Sequence, residues 1–254
     1  MSNSPLVNYT MISPNKTKNR KHAIDRITPH VYVGQVSVER AGDGFAKAER
    51  LASCNYAIGS DGRIALIVDE KDRSWCSSNQ SNDDRAVTIE CASDSADPYA
   101  VNSKVYSKLV DLCADICKRN GKKKLLWFAD KDKSLKYTPK SDEMIITVHR
   151  WFANKACPGE YLYSRMGDIA SRVNAILNPP KPSPKAPQTK SSKFKVKVIV
   201  SSLNIRKGTG ILNKKVGVVK KDEVYTIVEV KGNWGKLKSG AGYINISSKY
   251  CKRV

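Results

Sequence analysis

The chain has 254 residues, of which 40% are hydrophobic and 27% are charged, and this composition excludes an extended, disordered chain. No run of about 18 apolar residues occurs, so the sequence predicts no membrane span. Residues 1–21 lack the apolar stretch of a secretory signal, and we therefore expect synthesis in the cytoplasm without a signal peptide.

Positive charge is concentrated in the last third of the chain. The formal net charge is +21. Residues 1–178 carry 27 Lys and Arg against 21 Asp and Glu, whereas residues 179–254 carry 18 against 3. A basic block of this kind predicts an anionic, extended partner. Charge alone fits a nucleic acid, and it also fits an anionic cell wall or membrane surface.

The first part of the chain alternates short apolar, partly β-branched runs with amphipathic segments. Buried strands are predicted at residues 64–68, 86–89, 125–128 and 144–148. Residues 101–119 have apolar side chains at helical spacing, with Asn102 suited to cap the helix and Gly121 to end it. A last helix is predicted at residues 160–177. Strands interleaved with helices predict an α/β domain over residues 1–178, with a mixed central sheet flanked by helices.

A second domain is predicted beyond a change in composition. Residues 179–193 are dominated by Pro, Lys and Ser, which indicates an extended, semi-rigid linker. Short strand-like runs separated by Gly-containing turns then predict a small all-β barrel or sandwich over residues 194–254. These runs occupy residues 196–200, 203–206, 224–230, 234–237 and 242–244.

Two histidines and one cysteine are candidate metal ligands. His30 and His149 each end a strand-like segment, and Cys157 follows shortly after His149. Two imidazoles and a thiolate form a normal zinc set that leaves a fourth position for water. Spacing alone leaves a structural role for each histidine as the more common interpretation. The seven cysteines are odd in number and scattered, which argues against a disulfide framework.

Several separate motifs agree on one family. They are ITPHVYVG (27–34), SCNYAIGSDG (53–62), NDDRAVTIE (82–90) and HRWFANKACPGEYLY (149–163). In this order, over roughly residues 24–177, they resemble the N-acetylmuramoyl-L-alanine amidases, the family shared by phage lysins and peptidoglycan recognition proteins. The resemblance implies that His30, His149 and Cys157 bind Zn²⁺. Pro158 would open a helix whose N-terminus helps to hold the Cys157 sulfur as thiolate.

The same resemblance assigns three catalytic residues. Lys155 matches a catalytic lysine, and Tyr56 matches a catalytic or substrate-positioning tyrosine. Glu90 matches a strand-end glutamate that some members use as general base. These residue types suit amide hydrolysis, because the developing oxyanion needs a positive or hydrogen-bonding group and the leaving amine needs a proton. One departure lies at Trp75-Cys76-Ser-Ser78, where many members have Trp-His-Ala-Gly.

The basic tail resembles a bacterial SH3 domain. The motifs that carry this resemblance are LNIRKG (203–208), VGVVKK (216–221), NWGKL (233–237) and GYI (242–244). Members of that family commonly bind cell walls. The resemblance therefore implies that the tail binds anionic cell-wall polymers, and its charge is compatible with this.

Together the two resemblances imply a peptidoglycan hydrolase that cleaves the amide bond between N-acetylmuramic acid and L-alanine with a zinc-activated water. Without a signal peptide, a phage or prophage endolysin, made in the host cytoplasm and released through a holin to lyse the wall, is favoured. The alternatives are a non-catalytic peptidoglycan-binding recognition protein and a host-encoded autolysin from a prophage remnant. A nucleic-acid partner is not expected, because the tail lacks a recognisable motif or an array of aromatics for stacking.

Overall fold

A mixed sheet of seven strands lies at the centre of the first of two units in the computed structural model. The structure describes residues 2–179 and 193–254, and the two units span Met1–Lys181 and Pro182–Val254. The predicted linker at residues 179–193 lies almost entirely outside the described residues. Within the described ranges, no helix is both long and apolar enough to cross a membrane.

The strands of the first unit are β1 (Tyr9–Thr10), β2 (Lys16–Thr17), β3 (Arg26–Val33), β4 (Tyr56–Ile58), β5 (Ile64–Leu66), β6 (Arg73–Ser74), β7 (Ala86–Ser93), β8 (Lys124–Leu126) and β9 (Glu143–Ile146). Their order in the main sheet is β1-β5-β4-β7-β3-β9-β8, and β2 pairs with β6 separately. The β4 and β5 strands pair antiparallel, and the other neighbours in the main sheet run in parallel. The predicted mixed sheet is thereby confirmed.

The helices of the first unit are α1 (Val38–Ala46), α2 (Gln80–Asp83), α3 (Ser103–Arg119), α4 (Lys131–Lys136), α5 (Gly159–Tyr163) and α6 (Met166–Leu177). The predicted cap of α3 is confirmed, because the Asn102 side chain accepts hydrogen bonds from two backbone N–H groups of its first turn. The predicted helix at residues 160–177 is wrong in one respect, since it is two helices. Between them, the backbone N–H of Arg165 donates to the Leu162 carbonyl, and the Arg165 guanidinium donates to the Tyr161 carbonyl that a continuous helix would use.

Helices cover both faces of the sheet, and β4 shows how residues are divided between them. Tyr56 and Ile58 belong to the core that also contains the buried residues of α3 and α6. Ala57, between them, packs in a second core with Val38 and Phe45 of α1. Successive side chains of a strand point to opposite faces, so neighbouring residues enter different layers.

The described residues of the second unit, 193–254, form strands without helices, as predicted. Its strands are β10 (Phe194–Val198), β11 (Ser202–Arg206), β12 (Lys215–Lys220), β13 (Val224–Lys231), β14 (Trp234–Leu237), β15 (Tyr243–Asn245) and β16 (Cys251–Arg253). They form one antiparallel sheet in the order β12-β11-β15-β14-β13-β10-β16. Its small core contains Val196, Val219, Ile227, Leu237 and Ile244. The SH3-like assignment stays a prediction.

Candidate active site

Two adjacent central strands place His30 beside Glu90. The β3 and β7 strands run in parallel, and their register pairs these two residues directly. Ile27 and Ile89 enter the core under α3. Because side chains alternate along a strand, His30 and Glu90 point to the opposite face of the sheet. The sheet therefore brings two predicted site residues together on one surface.

His149 and Cys157 reach the same place from the end of the next strand. The β9 strand pairs with β3, and a 3₁₀ turn at His149–Trp151 follows it. The backbone N–H of Arg150 donates to the Cys157 carbonyl at 3.0 Å, which closes the loop between the two residues. The ring centroids of His30 and His149 lie 5.0 Å apart. Cys157 Sγ lies 3.3 Å from His30 Nδ1.

These three residues fit a zinc ion. One donor atom from each lies within 4.8 Å of the others. Ligands of a tetrahedral zinc ion at normal bond lengths are about 3.5 Å apart, which is close to the separation of Cys157 Sγ and His30 Nδ1. His149 and Cys157 line an open cleft, and a catalytic zinc site needs access for water to its fourth position.

Burial sets the protonation of the ligand residues. It lowers the pKa of His30 well below its usual value, and the neighbouring His149 lowers it further. Burial, and then Lys155, also lower the pKa of His149, so both rings are neutral, as metal ligands must be. Burial raises the pKa of the Cys157 thiol. A bound cation would therefore be what holds this sulfur as a thiolate.

The predicted helix N-terminus beside Cys157 contributes less than expected. Pro158 stands in the N-cap position, and α5 begins one residue later at Gly159. The helix has only five residues, and it offers few aligned peptide dipoles to the sulfur. The prediction that Pro158 is the first residue of the helix is therefore wrong.

An open cleft of about 620 Å³ runs past the cluster, and His149, Cys157, Glu90 and Lys155 all line it. Burial raises the pKa of Glu90 to about 7, against the opposing charge of Arg50. The Oε2 atom of this carboxyl is buried without a partner. A carboxyl group whose pKa lies near neutral pH is suited to both taking up and releasing a proton. Lys155 is exposed at the same cleft.

Tyr56 is not brought to the cleft. Its ring is fully buried in the core on the α3 side of the sheet, opposite to His30 and Glu90. Its hydroxyl donates to Glu70 Oε1 at 2.6 Å and accepts from the backbone N–H of Ser4 at 2.8 Å. Arg119 pairs with both oxygens of Glu70. This position does not fit the predicted contact with substrate, and it gives Tyr56 a structural role.

We expect Tyr56→Phe to lower stability without lowering kcat. The change leaves the buried Glu70 carboxylate and the Ser4 N–H each short of one partner, which costs about 1–3 kcal/mol of unfolding free energy. Denaturant unfolding and wall hydrolysis measured on the same preparation check this. A large fall in kcat with unchanged stability would restore the predicted catalytic role.

Residues 75–78 form another part of the cleft, and the sequence analysis noted their departure from the family motif without giving them a role. The Ser78 hydroxyl lies 3.2 Å from His149 Nε2, and Cys76 Sγ lies 3.8 Å from Glu90 Oε1. The Asp83 carboxylate accepts the backbone N–H groups of Cys76 and Ser77, which fixes the segment at the cleft. The one signal in the sequence was the departure from Trp-His-Ala-Gly at this position.

Two histidines and one cysteine beside an open cleft, with His30 buried and the other two half-buried, are a donor set of the type found in catalytic zinc sites. The family model described as N-acetylmuramoyl-L-alanine amidase matches residues 8–160, more than half of the sequence. The chain therefore belongs to this amidase family. Among curated proteins, no sequence matches significantly.

Solved structures similar to this chain at low identity include the N-acetylmuramoyl-L-alanine amidase LysC. A mutant structure of PlyL is 11% identical and covers 66% of this chain and 98% of that chain, with a TM-score of 0.47. LysC from Clostridium intestinale URNW is 15% identical and covers 66% and 95%, with a TM-score of 0.44. The catalytic domain of XlyA is 12% identical and covers 65% and 97%, with a TM-score of 0.44.

Proposed function

We propose that this protein is a zinc-dependent endolysin that hydrolyses the amide bond between N-acetylmuramic acid and L-alanine in peptidoglycan. The observation that carries the proposal is the cluster of His30, His149 and Cys157, whose donor atoms lie within 4.8 Å of one another. The cluster lies beside a cleft that Glu90 and Lys155 also line. Membership of the amidase family supports the bond that is cleaved.

In this mechanism the two histidines and the cysteine would hold the metal at the cleft. Zinc bound there would polarise the scissile carbonyl and lower the pKa of a water molecule. The Glu90 carboxylate, with one oxygen free of partners, takes the proton of the attacking water and passes it to the leaving amine. The Lys155 ammonium group, exposed at the cleft, stabilises the negative charge that develops on the carbonyl oxygen.

The test is release of new N-terminal alanine from purified cell walls, measured with and without a zinc chelator. The proposal expects release that the chelator removes and that added Zn²⁺ restores. A reducing-end assay run in parallel distinguishes amidase from glycosidase activity. Binding to walls with no release of alanine at any zinc concentration would instead support the non-catalytic recognition protein.

We propose further that the second unit holds the enzyme on anionic cell-wall polymers. Residues 179–254 carry 18 Lys and Arg against 3 Asp and Glu. Seven of these lysines, together with Arg206 and Arg253, stand in the strands as exposed or half-buried residues, and the sequence of this unit resembles a bacterial SH3 domain. Such a domain would place the cleft close to its substrate for many turnovers. Release through a holin after synthesis in the host cytoplasm is the route that fits this proposal.

Wall binding by the whole chain should weaken with salt. Contacts between exposed lysines and an anionic polymer are screened over about 10 Å at 0.1 M and about 3 Å at 1 M ionic strength. Pelleting with cell walls across this range measures the bound fraction, and walls stripped of their anionic polymers serve as the matched control. Salt-independent binding, equal on both kinds of wall, would contradict an electrostatic anchor.

A further inference from the structure

A second set of metal donors lies in the cleft beside the first. His30, Cys76 and Glu90 each offer one donor atom, and these atoms lie within 4.8 Å of one another. The set shares His30 with the cluster described above, and it replaces His149 and Cys157 with Cys76 and Glu90. Thiolate, imidazole and carboxylate are all normal ligands of zinc and of similar divalent cations.

Two atoms of this set are suited to bind a cation. The buried Oε2 atom of Glu90 and the buried Nε2 atom of His30 both have no hydrogen-bond partner, and His30 is only 1% exposed. Orphaned polar atoms at such depth are uncommon in folded proteins. A cation bound between the two side chains would give the unpartnered carboxylate oxygen a partner.

The set is also held in position and is open to the cleft. Cys76 Sγ and Glu90 Oε1 are 3.8 Å apart, close to the separation of about 3.5 Å expected for two ligands of one tetrahedral ion. Asp83 fixes the backbone of Cys76 through its N–H group at 2.9 Å. Cys76 and Glu90 both line the cleft, so an ion can reach them from solvent.

We propose that Cys76 and Glu90, together with His30, form an alternative binding position for a thiolate-preferring divalent cation such as Zn²⁺. A neutral imidazole ring has one acceptor nitrogen, so the two sets compete for His30 and the cleft holds one ion at a time. An ion in the second position binds the Glu90 carboxylate, which then cannot act as the base. It follows, on the amidase mechanism proposed above, that this position is catalytically inactive.

Cobalt binding tests the proposal without any measurement of activity. Full-length protein is stripped of metal and titrated with Co²⁺, and both the bound metal per chain and the thiolate-to-cobalt absorption are recorded. We expect Cys157→Ser to keep one Co²⁺ and a thiolate band, because Cys76 supplies the sulfur. Adding Cys76→Ser to that variant should remove the band and weaken binding at least 10- to 100-fold, the loss seen even for changes around a metal site.

Controls separate this result from general damage. The first control is the double variant Cys157→Ser, Cys251→Ser, which loses a thiol of the second unit instead of Cys76. This double variant should keep the thiolate band. Cys76→Ser alone should also keep a band, from Cys157, and circular dichroism verifies that each variant is folded. A folded Cys157→Ser protein without a thiolate band would overturn the proposal, whether or not the wild-type protein hydrolyses peptidoglycan. Equal binding by the single and double variants would overturn it as well.

Discussion

Replacing Cys157 with serine should lower the rate of cell-wall hydrolysis by at least about 10³-fold, at saturating zinc. The sulfur lies 3.3 Å from His30 Nδ1 at the cleft, and a neutral hydroxyl is a poor substitute for a thiolate ligand. Loss of a correctly held metal removes several kcal/mol of transition-state stabilisation, which corresponds to a factor of this size. The measurement is release of N-terminal alanine per mole of folded enzyme.

The same variant should still bind walls, because the basic second unit does not contain Cys157. Pelleting with walls therefore separates lost chemistry from lost anchoring. The matched control is Cys251→Ser, which also exchanges a thiol for a hydroxyl but lies in the core of the second unit. It should keep wild-type hydrolysis. Full activity in Cys157→Ser would exclude the proposed metal set.

Much of the fold follows from local sequence patterns. The α3 helix could be predicted because its apolar spacing and its Asn102 cap are both local features. The ends of α5 and α6 were missed, because the break depends on the Arg165 side chain, which donates to the Tyr161 carbonyl. Arginine is a good helix former, so the sequence alone does not indicate an interruption at this position.

The site shows that strand pairing determines which distant residues meet in the cleft. His30 and Glu90 are far apart in sequence, and their contact depends on the parallel register of β3 and β7. Local patterns do not fix that register, although the resemblance to amidases named both residues. The proximity of Cys76 to Glu90 could not be predicted at all, because it depends on a loop held by Asp83.

Tyr56 shows why a motif can mislead about the direction of a side chain. The β4 strand is buried on both faces, with Tyr56, Ala57 and Ile58 all at most 1% exposed. In a strand of this kind both faces are apolar, so polarity does not reveal which residues face the cleft. The buried partner Glu70 identifies the Tyr56 hydroxyl as part of a structural network, and only the folded chain shows that contact.

Glu90→Gln should lower kcat by about 10²- to 10⁴-fold, the contribution typical of general acid–base catalysis. The carboxamide has nearly the same shape and can occupy the same buried position beside Cys76. It cannot accept a proton from water or deliver one to the leaving amine. We therefore expect lost turnover with the metal still bound by His30, His149 and Cys157.

Three measurements on Glu90→Gln make the interpretation specific: kcat, zinc per chain and the midpoint of thermal unfolding. A fall in kcat with unchanged zinc content assigns Glu90 to proton transfer, whereas a parallel loss of zinc would assign it to metal retention. The control is Glu160→Gln, an exposed carboxylate of α5 that pairs with Arg150 at 3.2 Å, and it should retain wild-type kcat. Near-normal turnover in Glu90→Gln would require another proton carrier at the cleft, and Lys155 is the remaining titratable side chain that we place in the mechanism.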